Sequence, residues 1–321
     1  MAVYTDVTDA DLTAFLSQYD IGRARALKGI AEGVENSNFL LHAGAGVYIL
    51  TLYEKRVDEN NLPFFLGLME HLARHGLNCP LPVRNRSGGA LGRIAGRPAA
   101  IVTFLEGVSA TRPNEDQCAA LGEALGRLHV AGADFPLRRP NSLGLSAWPD
   151  LFGEVSARAD EVQPGLADLI ARELIFLERN WPTGLPSGII HADMFPDNVL
   201  FLGDAVSGVI DFYFACVDNL AYDAAVCLNA WCFDKDQAYD SQKARAFFKA
   251  YERVRPLTAG EAEALCVLAR GAALRFTLTR LVDWLNVPPG ALVHPKDPRE
   301  YVRKLQVLQT IGGAADLGLI R

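Results

Sequence analysis

The sequence predicts an α+β protein of two lobes: an antiparallel β-rich N-terminal lobe over residues 1–105 and a larger, mainly α-helical C-terminal lobe over 106–321. Three observations predict it. Short apolar runs separated by glycine turns dominate the first part of the chain, helical periodicity takes over after Leu105-Glu106-Gly107-Val108, and one short β-rich island over 188–211 interrupts the helical part. At 321 residues the chain exceeds one ordinary core and suits two lobes of a single unit, with a cleft expected between them.

The elements follow in order. Thr8 with Asp11 has the spacing of a capping box, and Leu12, Phe15 and Leu16 give the short helix behind it an apolar face. Residues 24–30, 37–42 and 47–53 read as strands, separated by Gly29, Gly33 and the Ala43-Gly44-Ala45-Gly46 turn. Residues 60–75 read as a helix, with Leu62, Phe65, Leu66, Met69 and Leu72 at helical spacing, and 88–94 with 98–104 read as a hairpin pair. Beyond the boundary, 114–130, 166–179, 220–233, 241–253, 259–285 and 298–312 read as helices, and the island supplies strands over 188–191, 198–202 and 206–211.

Composition narrows the function. Half the residues are apolar, 21% are charged and the net charge is -7, which is a globular balance without the basic face of a nucleic-acid binder. The six cysteines form no Cys-x-x-Cys pair or zinc spacing, so they are expected to be free buried thiols. The N-terminal Asp6, Asp9 and Asp11 come with no apolar run of a signal peptide, and the uncharged stretch 36–53 is broken by Asn, Ser, His and Gly. A cytoplasmic protein with no membrane partner is expected.

The chemistry concentrates in His191-Ala192-Asp193-Met194-Phe195-Pro196-Asp197-Asn198, followed by Gly208-Val209-Ile210-Asp211-Phe212. A loop carboxylate, Asp193, can accept a hydroxyl proton. An amide five residues on, Asn198, can reach a metal where the loop enters a strand, and Asp211 at the end of the paired strand can reach the same metal. Such positioning and charge neutralisation are what phosphoryl transfer asks of a protein. Asp197 reads as a solvated or loop-bracing group. Asp218 and Asp223 read equally as helix caps and as braces of the loop, and His129 reads as a core or locally bonded histidine.

His-Ala-Asp-Met-Phe-Pro-Asp-Asn resembles the catalytic loop of the protein-kinase-like fold in the form found in aminoglycoside and choline kinases. The resemblance spans nearly the whole chain, including Gly126-Arg127-Leu128-His129. It implies ATP and Mg2+, with Asp193 as base, Asn198 and Asp211 as magnesium ligands and His191 as a brace of the loop. Gly33, Asn36, Ser37 and Asn38 become candidates for the phosphates, and the backbone of Thr103, Phe104 and Leu105 for adenine. Thr51 stands where the family commonly places an ATP-pairing lysine, with Lys28, Lys55 or Arg56 as other cations and Glu59 or Glu70 as the acidic half of that pair.

Within this superfamily, Glu32-Gly33-Val34-Glu35-Asn36-Ser37-Asn38-Phe39, Leu50-Thr51-Leu52-Tyr53-Glu54 and the run from Ile210 to Asp223 resemble the homoserine kinases of aminoglycoside-kinase-like type, as do Asn229-Ala230-Trp231-Cys232 and Ala273-Leu274-Arg275-Phe276. That implies phosphorylation of the L-homoserine hydroxyl on the way to threonine. A zwitterion wants a cation for its carboxylate. Arg275 ahead of Arg280 on one helix, together with Trp231, are the candidate substrate residues. A kinase of choline, ethanolamine or an aminoglycoside, and a catalytically silent nucleotide binder, are the alternatives; Tyr213, Phe214, Tyr222 and Trp231 keep an aromatic choline cage open.

Overall fold

A computed structural model describes residues 5–30, 36–54, 58–287 and 295–319; the chain divides into two compact units, Met1–Glu106 and Gly107–Arg321. In the first unit α1 (Asp9–Leu16) starts on the expected capping box: Thr8 Oγ1 accepts the Asp11 N–H at 3.1 Å, and Asp11 accepts the Thr8 N–H at 3.4 Å. Strands β1 (Ala24–Gly29), β2 (Asn36–Ala43), β3 (Gly46–Tyr53), β4 (Gly92–Ile94) and β5 (Arg97–Thr103) form an antiparallel sheet in the order β1-β2-β3-β5-β4. The two-residue alternation gathers Phe39, Leu41, Leu50, Leu52 and Ile101 into one core with Leu12, Phe15 and Leu16 of α1. Helix α2 (Leu62–Arg74) starts after a 3-10 turn, with Pro63 in its first turn where an N–H has no helical partner. The expected hairpin closes on Ala95 and Gly96, both at positive φ (49° and 76°), the geometry whose twist matches paired strands.

The second unit carries helices α3 (Glu115–Ala131), α4 (Trp148–Val155), α5 (Leu166–Asn180), α6 (Leu220–Trp231), α7 (Ser241–Val254), α8 (Ala259–Leu285) and α9 (Arg299–Leu308). Its strands are β6 (Val108–Ser109), β7 (Ser187–Ile190), β8 (Val199–Leu202), β9 (Ala205–Val209) and β10 (Cys216–Asn219), arranged as a β6-β8-β9 sheet and a β7-β10 pair. Helices α3 and α7 lie so close that a Cβ on Gly122 would stand 2.2 Å from the Phe247 carbonyl oxygen. The middle of α8 is buried nearly all round by α4, α5, α6 and α9, which is why it reads as a long helix without a clear apolar stripe. Among the described residues no helix is long and apolar enough to cross a membrane, and the six cysteines are free, five of them buried.

Candidate active site

The loop 191–198 leaves β7 at Ile190 and enters β8 at Val199. Its backbone is held by three buried side chains. Asp223, in the first turn of α6, accepts the His191 N–H at 2.7 Å and the Ala192 N–H at 2.9 Å. The Ala192 carbonyl accepts from Arg275 Nη1, and the Met194 carbonyl accepts from the Trp231 indole N–H at 2.8 Å. Ala192 itself sits at φ 62°, a conformation most side chains avoid, so the carboxylate beneath it fixes a turn that would not hold by itself.

This frame presents Asp193. Its backbone carbonyl accepts from Asn198 Nδ2 at 2.8 Å, and its Oδ2 accepts from the same nitrogen at 3.1 Å. With Nδ2 turned to Asp193, the amide oxygen of Asn198 faces the other way. Val199 pairs with Val209 in the β8–β9 hairpin, and the Asn198 carbonyl accepts the Ile210 N–H at 3.0 Å, so Asn198 and Asp211 lie at the same end of that hairpin. Asp211 is exposed and left-handed, φ 64°. His191 Nε2 donates to the Ile210 carbonyl at 3.0 Å while Nδ1 accepts the Asp193 N–H at 3.3 Å, which fixes the neutral Nε2–H tautomer and ties the loop to the strand leading to Asp211.

Electrostatics follow from burial. Desolvation lifts the Asp193 carboxyl above its ordinary value against the opposing pull of Arg275 and His191. Burial lowers His191 and His129, keeping both imidazoles neutral. Burial pushes Asp223 up, but the hydrogen bond from His129 and the loop donors outweigh it and hold the carboxyl below its ordinary value. His129 lies 3.2 Å from Asp223 and 2.8 Å from the Tyr251 hydroxyl, so the bracing carboxylate is itself braced. Of the two readings open for Asp223 in the sequence, cap or brace, the structure selects the brace. Asp218 accepts from Asn141 Nδ2 at 2.7 Å, and Asp197 pairs with Lys296 at 3.2 Å on the surface.

Several residues expected near the nucleotide have protein partners in the structure. Ser37 is fully buried and donates to Glu54 Oε1 at 2.7 Å, Asn36 Oδ1 accepts the Glu54 N–H at 3.4 Å, and Asn38 Oδ1 accepts from Thr51 Oγ1 at 2.8 Å. These side-chain oxygens have partners inside the sheet, and Thr51 is a buried partner of Asn38. Gly33, Lys55 and Arg56 lie outside the described residues. Glu70 pairs with Arg84 at 2.6 Å and Glu59 with Arg93 at 3.0 Å, while Lys28 is exposed on β1. Thr103 ends β5, bonded to Leu81 through its N–H at 3.0 Å and its hydroxyl at 2.9 Å; Phe104 is exposed and Leu105 half-buried.

The substrate candidates are also redistributed. Arg275, placed first for a substrate carboxylate, is 2% exposed and lies beneath the loop, stacked 4.4 Å from the Phe276 ring centre and 5.5 Å from that of Phe214. Trp231 is 1% exposed and supports Met194 from behind. Both support the loop. Arg280 reaches Glu300 at 2.7 Å. Lys304, which shares that carboxylate at 2.8 Å, was not singled out in the sequence; the Glu300–Lys304 spacing of four residues on a helix was its available signal.

A bracketed carboxylate, an amide and a second carboxylate around one hairpin, in this fold, define a phosphotransferase, and the family model described as a phosphotransferase enzyme family matches residues 26–257. A homoserine kinase of Methylocella silvestris is 68% identical over 100% of both chains, and one of Beijerinckia indica is 66% identical over 100% of both. A solved amicoumacin kinase in complex with AMP-PNP and Ca2+ shares the fold at 14% identity, TM-score 0.68, covering 92% of this chain and 90% of that one. The chain belongs to the phosphotransferase enzyme family and, within it, to the homoserine kinases.

Proposed function

We propose that the protein transfers the γ-phosphoryl group of ATP to the hydroxyl of L-homoserine, in the route to threonine, with Asp193 as the base. Full-length identity to homoserine kinases supports the acceptor. The observation that carries the chemistry is the 3.1 Å bond from Asn198 Nδ2 to Asp193, which orients one oxygen of a carboxylate whose proton affinity burial has raised. A raised value brings the base nearer the working pH.

The hydroxyl oxygen attacks phosphorus while its proton passes to the Asp193 carboxylate; the bond from phosphorus to the bridging oxygen breaks, and ADP leaves with that electron pair. His191, neutral and bonded on both nitrogens, holds the peptide of Asp193 in line. The outward amide oxygen of Asn198 and the exposed carboxylate of Asp211 are hard oxygen donors of the kind magnesium takes beside phosphates, so these two residues would hold Mg2+. Bound there, Mg2+ supplies neutralisation of charge on the phosphate oxygens. The nucleotide contacts of the first unit are assigned to the backbone of Thr103–Leu105. The free buried thiols fit a cytoplasmic enzyme.

ATP consumption with L-homoserine, choline, ethanolamine and kanamycin tests the reading. Turnover with homoserine far above the other three is expected. Turnover with choline or kanamycin and none with homoserine would overturn the acceptor and leave the phosphotransferase standing.

A further inference from the structure

We propose that a pocket behind the catalytic loop, walled by Arg280, Lys304 and Glu300, recognises the charged α-amino-acid end of the acceptor. The proposal rests on homoserine being that acceptor. The cavity has about 390 Å³ and is bounded on its loop side by Phe195 and Asp197 and on its helix side by Arg280, Lys296, Glu300 and Lys304.

Charge count is the first argument. Lys296 and Asp197 pair at 3.2 Å with both side chains mostly exposed, so they nearly cancel in solvent. Arg280 and Lys304 are 8% and 4% exposed, and both lean on the single carboxylate of Glu300, at 2.7 and 2.8 Å. Two buried cations on one carboxylate leave an excess positive charge where desolvation is costly. The ring of Tyr301 relieves part of that cost, with each cation 4.4 Å from its centre. Burial lowers the proton affinity of Lys304 against the opposing pull of Glu300. A carboxylate arriving in the pocket would supply the missing negative charge.

Position is the second argument. Phe195 lies two residues beyond Asp193, and its N–H folds back onto the Asp193 carbonyl at 2.8 Å, so the pocket wall and the base belong to one tight turn. Phe195 packs on Tyr301 at 6.3 Å, and Tyr301 in turn carries the two cations. In this proposal a small amino alcohol with its hydroxyl at Asp193 directs its carboxylate, only a few bonds away, past Phe195 towards Arg280 and Lys304. Its ammonium then meets Asp197 or Glu300. Choline has no carboxylate to offer, and an aminoglycoside polycation would meet excess charge of its own sign.

Lys304→Met and Arg280→Gln, each checked for unchanged thermal unfolding, are compared with the wild type using L-homoserine and homoserinol, which keeps the amine and lacks the carboxylate. The wild type should favour homoserine by about tenfold or more in kcat/KM, the worth of one charge-assisted bond. Each variant should raise KM for homoserine by a similar factor while KM for homoserinol and for ATP change less than about threefold. If Lys304→Met does not fold, Arg280→Lys provides the second reading, with most of the homoserine KM retained because the charge remains. Equal shifts for homoserine and homoserinol, or a wild type that does not distinguish them, would overturn the pocket and leave the reaction intact. A wild type that phosphorylates neither overturns the reaction, and the pocket with it.

Discussion

Asp223 reaches from the first turn of α6 to accept the backbone N–H of His191 at 2.7 Å, across 32 residues of sequence. Its other oxygen takes the Ala192 N–H at 2.9 Å. Asp223→Asn puts an NH2 group against one of those N–H donors and removes a buried charge from its partners. Stability should fall by about 3–5 kcal/mol, the usual cost of breaking a buried charged network, and kcat should fall with it as Asp193 loses its frame. Urea unfolding together with steady-state rates checks this; a variant of wild-type stability would show the clamp to be dispensable.

His129 and His191 make the fold sensitive to acid. Both are held neutral in the folded protein below the ordinary histidine value of 6.5, whereas the unfolded chain takes up a proton at each as the pH falls through that value. The unfolded state then binds more protons, so stability declines as pH falls below 6.5 towards the folded values. Asp193, raised by burial, acts with the opposite sign, so the comparison is made between variant and wild type. His129→Gln should reduce the slope of unfolding free energy against pH below about pH 6.5, by at most about 1.4 kcal/mol per pH unit, the limit for one proton. Parallel curves for the two proteins would contradict the assignment.

Asn198→Ala and Asp211→Ala should both raise the Mg2+ concentration that gives half-maximal rate. The shift should be larger for Asp211→Ala, on the order of tenfold or more, because it removes a full charge. Asn198→Ala should keep a rate deficit even at saturating Mg2+, since Asp193 also loses the bond that orients it. Magnesium titration at saturating ATP separates the two effects, and unchanged titration curves in both variants would remove these residues from the metal site.

Arg275→Ala gives a contrast with Arg280 and Lys304. Because Arg275 holds the Ala192 carbonyl from below, its loss should lower kcat for homoserine and homoserinol by the same factor. A selective rise in KM for homoserine alone would return Arg275 to the substrate.

Local features of the sequence carried much of this. The strands β2 and β3, the helix α3 and the capping box at Thr8 follow from periodicity and cap chemistry acting over a few residues. The spacing of Asp193, Asn198 and Asp211 is likewise local, set by one loop and one hairpin. What escaped was long-range. The four-residue strand β10 exists by pairing with β7, and β6 by pairing with β8. Nothing in the local pattern of Trp148–Val155 outweighed the surrounding Gly and Pro to mark α4. The direction of a polar side chain was the least legible feature. Ser37 turns into the sheet towards Glu54, Arg275 turns under the loop, and Lys304 turns towards a pocket, each for reasons that lie on other elements.

The central claim is that Asp193 accepts the proton of the acceptor hydroxyl. Single-turnover transfer from ATP to L-homoserine, at saturating Mg2+ and both substrates, compares the wild type with Asp193→Asn. The amide fits the same space and loses the basic oxygen, so the fold and ATP binding should survive while the transfer rate falls by about 10²–10⁴. A folded Asp193→Asn variant that transfers within about threefold of the wild type would contradict the account, because a positioned base is worth far more than that.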